Sequence, residues 1–85
     1  MPRYFFHVQT DSRDTDDIGV ELDGPQEARA QAIKTCGQLL NDDPKNFWGS
    51  KPWSVVVTDA AGLILWDLST HGFASPAGDA LDRKG

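Results

Sequence analysis

Four short stretches of this chain have the pattern of a β-strand: two place their apolar side chains alternately along the strand, and two are rich in β-branched and other apolar residues. We predict strands over residues 3–9, 18–22, 53–59 and 63–68. The polar segment 10–17 is predicted to be a solvated loop, so the first two strands form an antiparallel hairpin with a long connection. The last two strands form a tighter hairpin, because the turn between them ends at Gly62, which suits a left-handed backbone position.

One amphipathic helix is predicted between the two hairpins. Asp23 or Gly24 caps it, Pro25 stands in its first turn, and it runs to about Leu40 or Asn41. Pro44 and the two aspartates before it end the helix. Side chains spaced three and four residues apart form its apolar face: Ala28, Ala32, Ile33, Cys36, Leu39 and Leu40.

The order of elements is therefore β-β-α-β-β. This order predicts an α+β fold, a four-stranded antiparallel sheet with one helix packed on one face. We expect a single domain over residues 1–68. Residues 69–85 are small and polar with several helix breakers, and they are predicted to form a flexible C-terminal tail with a short helical turn at 78–83.

One helix covers only one face of such a sheet, yet the strands carry apolar residues on both faces. The side chains predicted to face the helix are Tyr4, Phe6, Val8, Ile18, Val20, Leu22, Val55 and Val57. Those predicted to face away are Phe5, His7, Val56 and Thr58, together with either Leu65 or Trp66. An apolar patch left open on a small protein indicates a binding surface.

The short length of the chain also favours a binding surface. Eighty-five residues with 39% hydrophobic content form only a marginal core. The single Cys36 allows no intramolecular disulfide and no site of paired thiolates for zinc. Association with another chain is therefore the expected supplement to stability.

Charge and hydropathy limit the partners. The formal net charge of −5 and the scattered basic residues disfavour direct nucleic-acid binding. No apolar run approaches the length of roughly 20 residues that spans a bilayer, so we expect no membrane partner and a cytoplasmic protein.

Candidate catalytic and metal-binding residues are weak. His7 lies in a strand and His71 in the tail, with no nucleophile or orienting carboxylate at a visible spacing. The aspartates of segment 10–17 do not have the spacing of a calcium loop, and Cys36 falls on the apolar helix face with no basic neighbour. We predict no catalytic residue, no metal site and no cofactor, and for His7 the alternative is a pH-sensitive contact at an interface.

The aromatic residues are stronger candidates, because tryptophan and tyrosine are enriched at interface hot spots. The predicted interaction residues are Phe5, His7, Phe47, Trp48, Val56 and Trp66. The alternative is structural: Trp53 and Trp66 are then cross-strand partners, and Phe47 with Trp48 folds over one end of the core.

These observations favour a non-enzymatic interaction module, expected to form a homodimer through the open sheet face or through a sheet edge, or else to bind another protein. The second hypothesis is an acidic inhibitor that occupies a basic, nucleic-acid-binding site of a larger enzyme. It is based on the net charge and on the acidic clusters at residues 11–17 and 42–43.

Several motifs together resemble a known family. They are the opening M-P-R-Y-F-F-H, the G-V-E-L strand at 19–22, the E-A-R-A-x-A helix at 27–32 and the W-x-V-x-V-T-D-x-x-G hairpin at 53–62. They resemble a family of short bacterial proteins, a domain of unknown function whose members begin with this run. The resemblance covers roughly residues 1–68 and implies no activity, cofactor or catalytic residue. The long acidic segment 10–17, the pair Phe47-Trp48 and the tail depart from the shared pattern.

Overall fold

The computed structural model of the chain describes residues 2–48 and 51–84. Its elements are β1 (Arg3–Gln9), β2 (Arg13–Asp14), β3 (Val20–Glu21), α1 (Pro25–Asp42), α2 (Pro44–Phe47), β4 (Trp53–Thr58), β5 (Ile64–Thr70) and α3 (Pro76–Lys84). The predicted α+β class and the β-β-α-β-β order are confirmed, with β2, α2 and α3 as additional short elements.

The sheet is antiparallel throughout, and its long strands lie in the order β1-β4-β5. β1 pairs with β4 from Phe5 opposite Thr58 to Gln9 opposite Ser54. The outer edge of β1 is shared by two short strands, because β3 pairs with its beginning and β2 with its end. β5 forms the other edge.

The connection between the first two predicted strands is not the plain solvated loop that its composition predicts. Arg13–Asp14 forms β2 opposite Val8 and Gln9. The second predicted strand shrinks to Val20–Glu21, because Gly19 before it has a positive φ of 76° and turns the backbone. An added Cβ on Gly19 would lie 2.9 Å from the Tyr4 carbonyl oxygen, so this turn needs glycine.

The core lies between α1 and the sheet. It is built from Tyr4, Phe6, Val55 and Val57 on the strands and from Ala28, Ala32 and Cys36 on α1. Three small side chains on the buried stripe of α1 let the helix approach the sheet closely. They also limit the apolar area that it covers.

Three residues predicted for the core are exposed: Ile18, Val20 and Ile33. The reason is the position of α1, whose backbone lies closest to β4 and β5 and away from β3. Ile18 and Val20 lie at the far edge of the sheet, beyond its reach. Ile33 lies on the flank of α1 and is 59% exposed.

β5 carries a bulge at Leu65, since Val57 pairs with Trp66 while Thr58 pairs with Ile64. Leu65 and Trp66 both pack against the core. The Trp66 indole N–H donates to the Pro25 carbonyl oxygen at 3.0 Å, and the Arg29 guanidinium lies 5.1 Å from the Trp66 ring centroid. The prediction that Leu65 or Trp66 joins the outer face is therefore wrong, and Ile64 and Asp67 occupy that face of β5.

α1 ends at Asp42, one or two residues beyond its predicted end, with Gly24 as its N-cap and Pro25 in its first turn as predicted. At the C-terminus, β5 continues to Thr70, and α3 is longer than the predicted turn at 78–83. The described molecule is elongated, 52 × 21 × 20 Å. None of the helices in its described part has the length and apolar content needed to cross a membrane.

Candidate interaction surfaces

The sheet face opposite α1 brings three of the predicted interaction residues together. Phe5, His7 and Val56 lie on this outer face, and all three are half-buried. Val56 stands between His7 on β1 and Asp67 on β5. The rest of the face is largely polar, with Gln9, Ser54, Thr58 and Ser69 in neighbouring positions. It is a mixed surface rather than an apolar patch.

His7 is held at both of its ring nitrogens. The backbone N–H of Asp16 lies 3.1 Å from Nδ1, and the Thr58 hydroxyl oxygen lies 3.0 Å from Nε2. An amide N–H can only donate, so Nδ1 is the unprotonated acceptor. Nε2 therefore carries the hydrogen and donates it to Thr58.

This tautomer matters because a hydroxyl group beside a histidine resembles a catalytic nucleophile with its general base. In a serine-histidine-aspartate triad, Nδ1 donates to a carboxylate and Nε2 is left free to accept the hydroxyl proton. At His7 the roles of the two nitrogens are reversed. Thr58 is also buried. The arrangement fixes β1 to β4 and does not activate the Thr58 hydroxyl.

The Asp16 carboxylate fills a gap in the edge of the sheet. The N–H of Phe6 points outward between β2 and β3 and donates to Oδ2 of Asp16 at 3.1 Å. The N–H groups of Ile18 and Gly19 both donate to Oδ1 at 3.0 Å. Sequence reasoning missed this residue, although an aspartate two positions before Ile18 has the spacing of an Asx turn.

These hydrogen bonds set the charge state of Asp16. Burial raises the pKa of this carboxyl group. The N–H donors of Gly19, Phe6 and Ile18, together with the nearby His7, lower the pKa by more than burial raises it, so it lies below its ordinary value. The carboxylate stays ionised and serves as an acceptor in place of a neighbouring strand.

Arg3 completes the closure of the β1 edge. Its guanidinium donates to the Ile18 carbonyl oxygen at 2.7 Å and to the Glu21 carboxylate at 3.1 Å. The edge of β1 is thus covered along its length by β3, Asp16 and β2. This edge has little capacity left to pair with another strand.

The edge formed by β5 is different. No described strand pairs with its outer side. The strand has seven residues, about 23 Å at ~3.3 Å per residue. Alternate residues of an edge strand direct N–H and C=O groups away from the sheet, which makes this edge a template for a further strand.

Exposed apolar side chains lie at both ends of β5 and on the neighbouring flank of α1. Leu63 and Ile64 lie at its start, and Phe73 follows three residues after its end. Ile33 is one helical turn beyond Arg29, whose guanidinium lies over Trp66 of β5, so Ile33 lies on the β5 side of α1. We call these four residues, Ile33, Leu63, Ile64 and Phe73, the edge cluster.

The other predicted aromatic residues lie at the end of the sheet near the start of β4. Phe47 makes edge-on contacts with Trp53 at 5.3 Å and with Trp48 at 5.5 Å between ring centroids. Trp53 is buried, and its indole N–H has no hydrogen-bond partner among the described atoms. Trp48 is exposed and lies so close to Gly72 that a Cβ there would be 2.5 Å from its ring.

The structural alternative for the aromatic residues is thus correct in one part. Phe47 folds over the end of the core at Trp53. Trp53 and Trp66 are not cross-strand partners, because Trp53 pairs with Thr70 and Trp66 with Val57. Phe47, Trp48 and Trp66 are not brought together with Phe5, His7 and Val56.

The remaining candidates for chemistry are dispersed. Within residues 2–48 and 51–84, histidine, cysteine and acidic side chains form no group of three that could hold a metal ion. Cys36 is buried, with its Sγ 3.1 Å from the Thr70 hydroxyl oxygen.

Comparison with known proteins identifies the family of this chain. No curated protein and no solved structure is similar to the chain at a significant level. One family model matches residues 3–71, a range that contains all five strands together with α1 and α2 and ends before α3. The chain therefore belongs to the family described as a domain of unknown function, DUF6894.

Proposed function

We propose that this chain is a non-enzymatic interaction module that forms a homodimer by pairing β5 with β5 of a second copy. The free β5 edge carries the proposal, because the other sheet edge is closed by β2, Asp16 and β3. Addition of a strand to an open edge is a common mode of protein recognition.

A second copy of the chain suits this edge well. Two identical strands pair antiparallel around a two-fold axis, so each residue contact occurs twice. The axis is perpendicular to the sheet and leaves both copies of α1 on the same side. Ile33, on the β5 flank of each α1, then approaches its counterpart and loses its exposure to water.

Pairing through the outer face has less support. His7 is already hydrogen-bonded on both sides, and Thr58 is buried within the chain. Polar groups on this face would lose water on dimerisation without assured partners. Of the edge cluster, only Ile64 belongs to the outer face.

The non-enzymatic part of the proposal is supported by the His7 tautomer, which is the reverse of what a general base needs. We place the module in a bacterium, as the resemblance of its opening run implies, and its cytoplasmic location stays a prediction. Its partner is a second copy of itself or, where the dimer opens, a strand of another protein.

The acidic inhibitor is the weaker alternative. Asp16, within the first acidic cluster, accepts hydrogen bonds from three backbone N–H groups, and Glu21 forms an ion pair with Arg3. Other carboxylates lie far apart along the fold, at the start of α1, in the turn before β5 and within β5. Such dispersion does not favour a continuous strip of negative potential.

Sedimentation velocity over low to high micromolar concentrations tests the proposal. We expect the wild-type chain to reach twice the 9.3 kDa mass of a monomer. Ile33→Lys should weaken the dimer about tenfold, because it removes about 1.4 kcal/mol of apolar burial. Ile18→Lys is the matched control, since Ile18 is exposed at the opposite sheet edge.

A wild-type chain that stays monomeric at every concentration would contradict the homodimer. A dimer that is insensitive to Ile33→Lys but dissociates in Val56→Ser would contradict the edge and support the outer face instead.

A further inference from the structure

The segment that follows β5 contacts its own chain at Gly72, which lies against the Trp48 ring, and it leaves two large apolar side chains exposed. Residues 71–84, which we call the C-terminal arm, end in the nine-residue helix α3. None of the other described helices and strands packs extensively against α3. Phe73 is 81% and Leu81 72% exposed. Because isolated helices shorter than about 12–15 residues are marginal in water, α3 gains stability from a surface on which to pack.

A matching apolar surface lies at the other end of β5. Leu63 and Ile64 are 63% and 62% exposed and lie beside the turn that enters the strand. Within one chain they are separated from Phe73 by the whole of β5, about 23 Å. Phe73 therefore meets Leu63 only if the two belong to different copies.

The bulge decides the register of a β5 pair. It lies at Leu65, so the regular part of the strand is residues 66–70. In antiparallel pairing around a two-fold axis, this segment overlaps fully with its copy only when Leu68 faces Leu68. That register places Asp67 opposite Ser69 of the other copy. A shift that centred the pair on Asp67 would place two carboxylates opposite each other, which is destabilising.

The same register determines where the arm of one copy lies relative to β5 of the other copy. With Leu68 at the centre, Thr70 lies opposite Trp66 of the other copy. Phe73 lies three residues after Thr70 in one copy, and Leu63 lies three residues before Trp66 in the other. Both residues are therefore about 10 Å from the Thr70–Trp66 pair, on the same side of it. Each arm thus leaves its own strand beside the start of β5 of the other copy.

We infer that the C-terminal arm of each copy docks on Leu63 and Ile64 of the other, so that the dimer is held by a strand pair and by two exchanged arms. This inference rests on the proposed homodimer and names the segment that completes its interface. The exchange covers all of the edge cluster except Ile33, which is covered by the pair of α1 helices.

The full-length chain tests this through a double-mutant cycle on the dimer dissociation constant, measured by sedimentation equilibrium. Phe73→Ser and Leu63→Ser should each weaken the dimer about tenfold, as expected for apolar contacts that become buried. The double variant should be weakened by clearly less than the product of the two effects, because both remove one contact. Ile18→Ser serves as the control and should have no effect.

Cross-linking gives a second readout that does not depend on stability. A Phe73→Cys preparation is mixed with a Leu63→Cys preparation and oxidised with copper phenanthroline, while native Cys36 stays buried. We expect a disulfide between the two variants, identified by mass spectrometry of the peptides.

The outcomes separate the two proposals. A dimer whose dissociation constant is unchanged by Phe73→Ser, and which forms no mixed disulfide, overturns arm exchange and leaves the β5 dimer standing. A chain that is monomeric at all concentrations overturns both.

Discussion

Asp16 shows how much one side chain contributes to the edge of this sheet. Its carboxylate replaces the strand that is missing beside Phe6 and at the same time holds the turn through Ile18 and Gly19. Its backbone N–H fixes the tautomer of His7. A single residue in an acidic segment thus closes the β1 edge and leaves β5 as the open one.

Asp16→Asn should destabilise the fold at neutral pH by about 1.5 kcal/mol, the lower end for hydrogen bonds to a charged group, because the carboxylate is partly solvated. The pKa of Asp16 is lowered in the folded state. Its contribution is therefore fully present above the unfolded-state value of about 4 and is lost as the pH falls through the lower folded value. Urea unfolding at pH 7 and at pH 3 measures this.

The control is Asp17→Asn, which makes the same charge change at an exposed neighbour. A difference between wild type and Asp16→Asn that stays constant from pH 7 to pH 3 would contradict the role of the ionised carboxylate.

Residue types alone predicted the outer-face positions but not their chemistry. Alternation along β1 and β4 correctly placed Phe5, His7 and Val56 on one face. It gave no sign of the hydrogen bonds at His7 and Asp16, because these depend on how segment 10–19 folds back on β1. In a polar segment, the sequence alone does not distinguish a carboxylate that accepts hydrogen bonds from backbone N–H groups from one that is solvated.

At the scale of elements, the two sheet edges are unequal. β1 is covered by two strands of two residues each, whereas β5 has seven residues and a side with which no strand of the described residues pairs. Asp67 is the only charged residue of β5, and it lies on the outer face opposite Val56. A charge within an edge strand restricts which strands pair with it.

Substitutions at Ser69 test the register through this charge. Ser69 is exposed and, in the proposed register, faces Asp67 of the other copy twice in each dimer. Ser69→Lys should tighten the dimer about fivefold and Ser69→Asp should weaken it about fivefold, since each cross-strand charge pair contributes about 0.2–1 kcal/mol. Sedimentation equilibrium measures both constants.

Ser12→Lys and Ser12→Asp control for net charge, because Ser12 is an exposed residue near the closed edge. Equal responses at positions 12 and 69 would mean that overall charge, not register, governs association.

The long elements were predictable, and among the short ones the sequence indicated β3 and part of α3 but not β2 or α2. The helical repeat of α1 and the alternation of β1 and β4 extend over enough residues to set their type and approximate bounds. The residues of β2 bury almost nothing, so the composition of segment 10–17 is that of a loop. The bulge at Leu65 carries no glycine to mark it, and for this reason the prediction that either Leu65 or Trp66 joins the outer face was wrong.

For the whole molecule, the position of α1 determines what remains exposed. A helix with three small residues on its buried stripe packs over the middle of the sheet, closest to β4 and β5, and leaves Ile18 and Val20 uncovered. This placement could not be read from the sequence, because the apolar faces of α1 and of the strands allow several lateral positions. The position of α1 places Ile33 beside the open edge formed by β5.

The elongated shape follows from the same layout. The sheet and α1 form the body of the molecule, and the arm extends beyond the end of β5. In the proposed dimer, a second copy related by a two-fold axis covers the open edge and the exposed apolar side chains of the arm, and so supplements a marginal core.

An isotope-filtered NOE spectrum of a dimer formed from equal parts of labelled and unlabelled chain tests the central claim most directly. We predict contacts between the two copies from Leu68 to Leu68 and from Asp67 to Ser69 across the β5 edges. Contacts between copies that come only from Phe5, His7 and Val56, or none at all, would contradict the account.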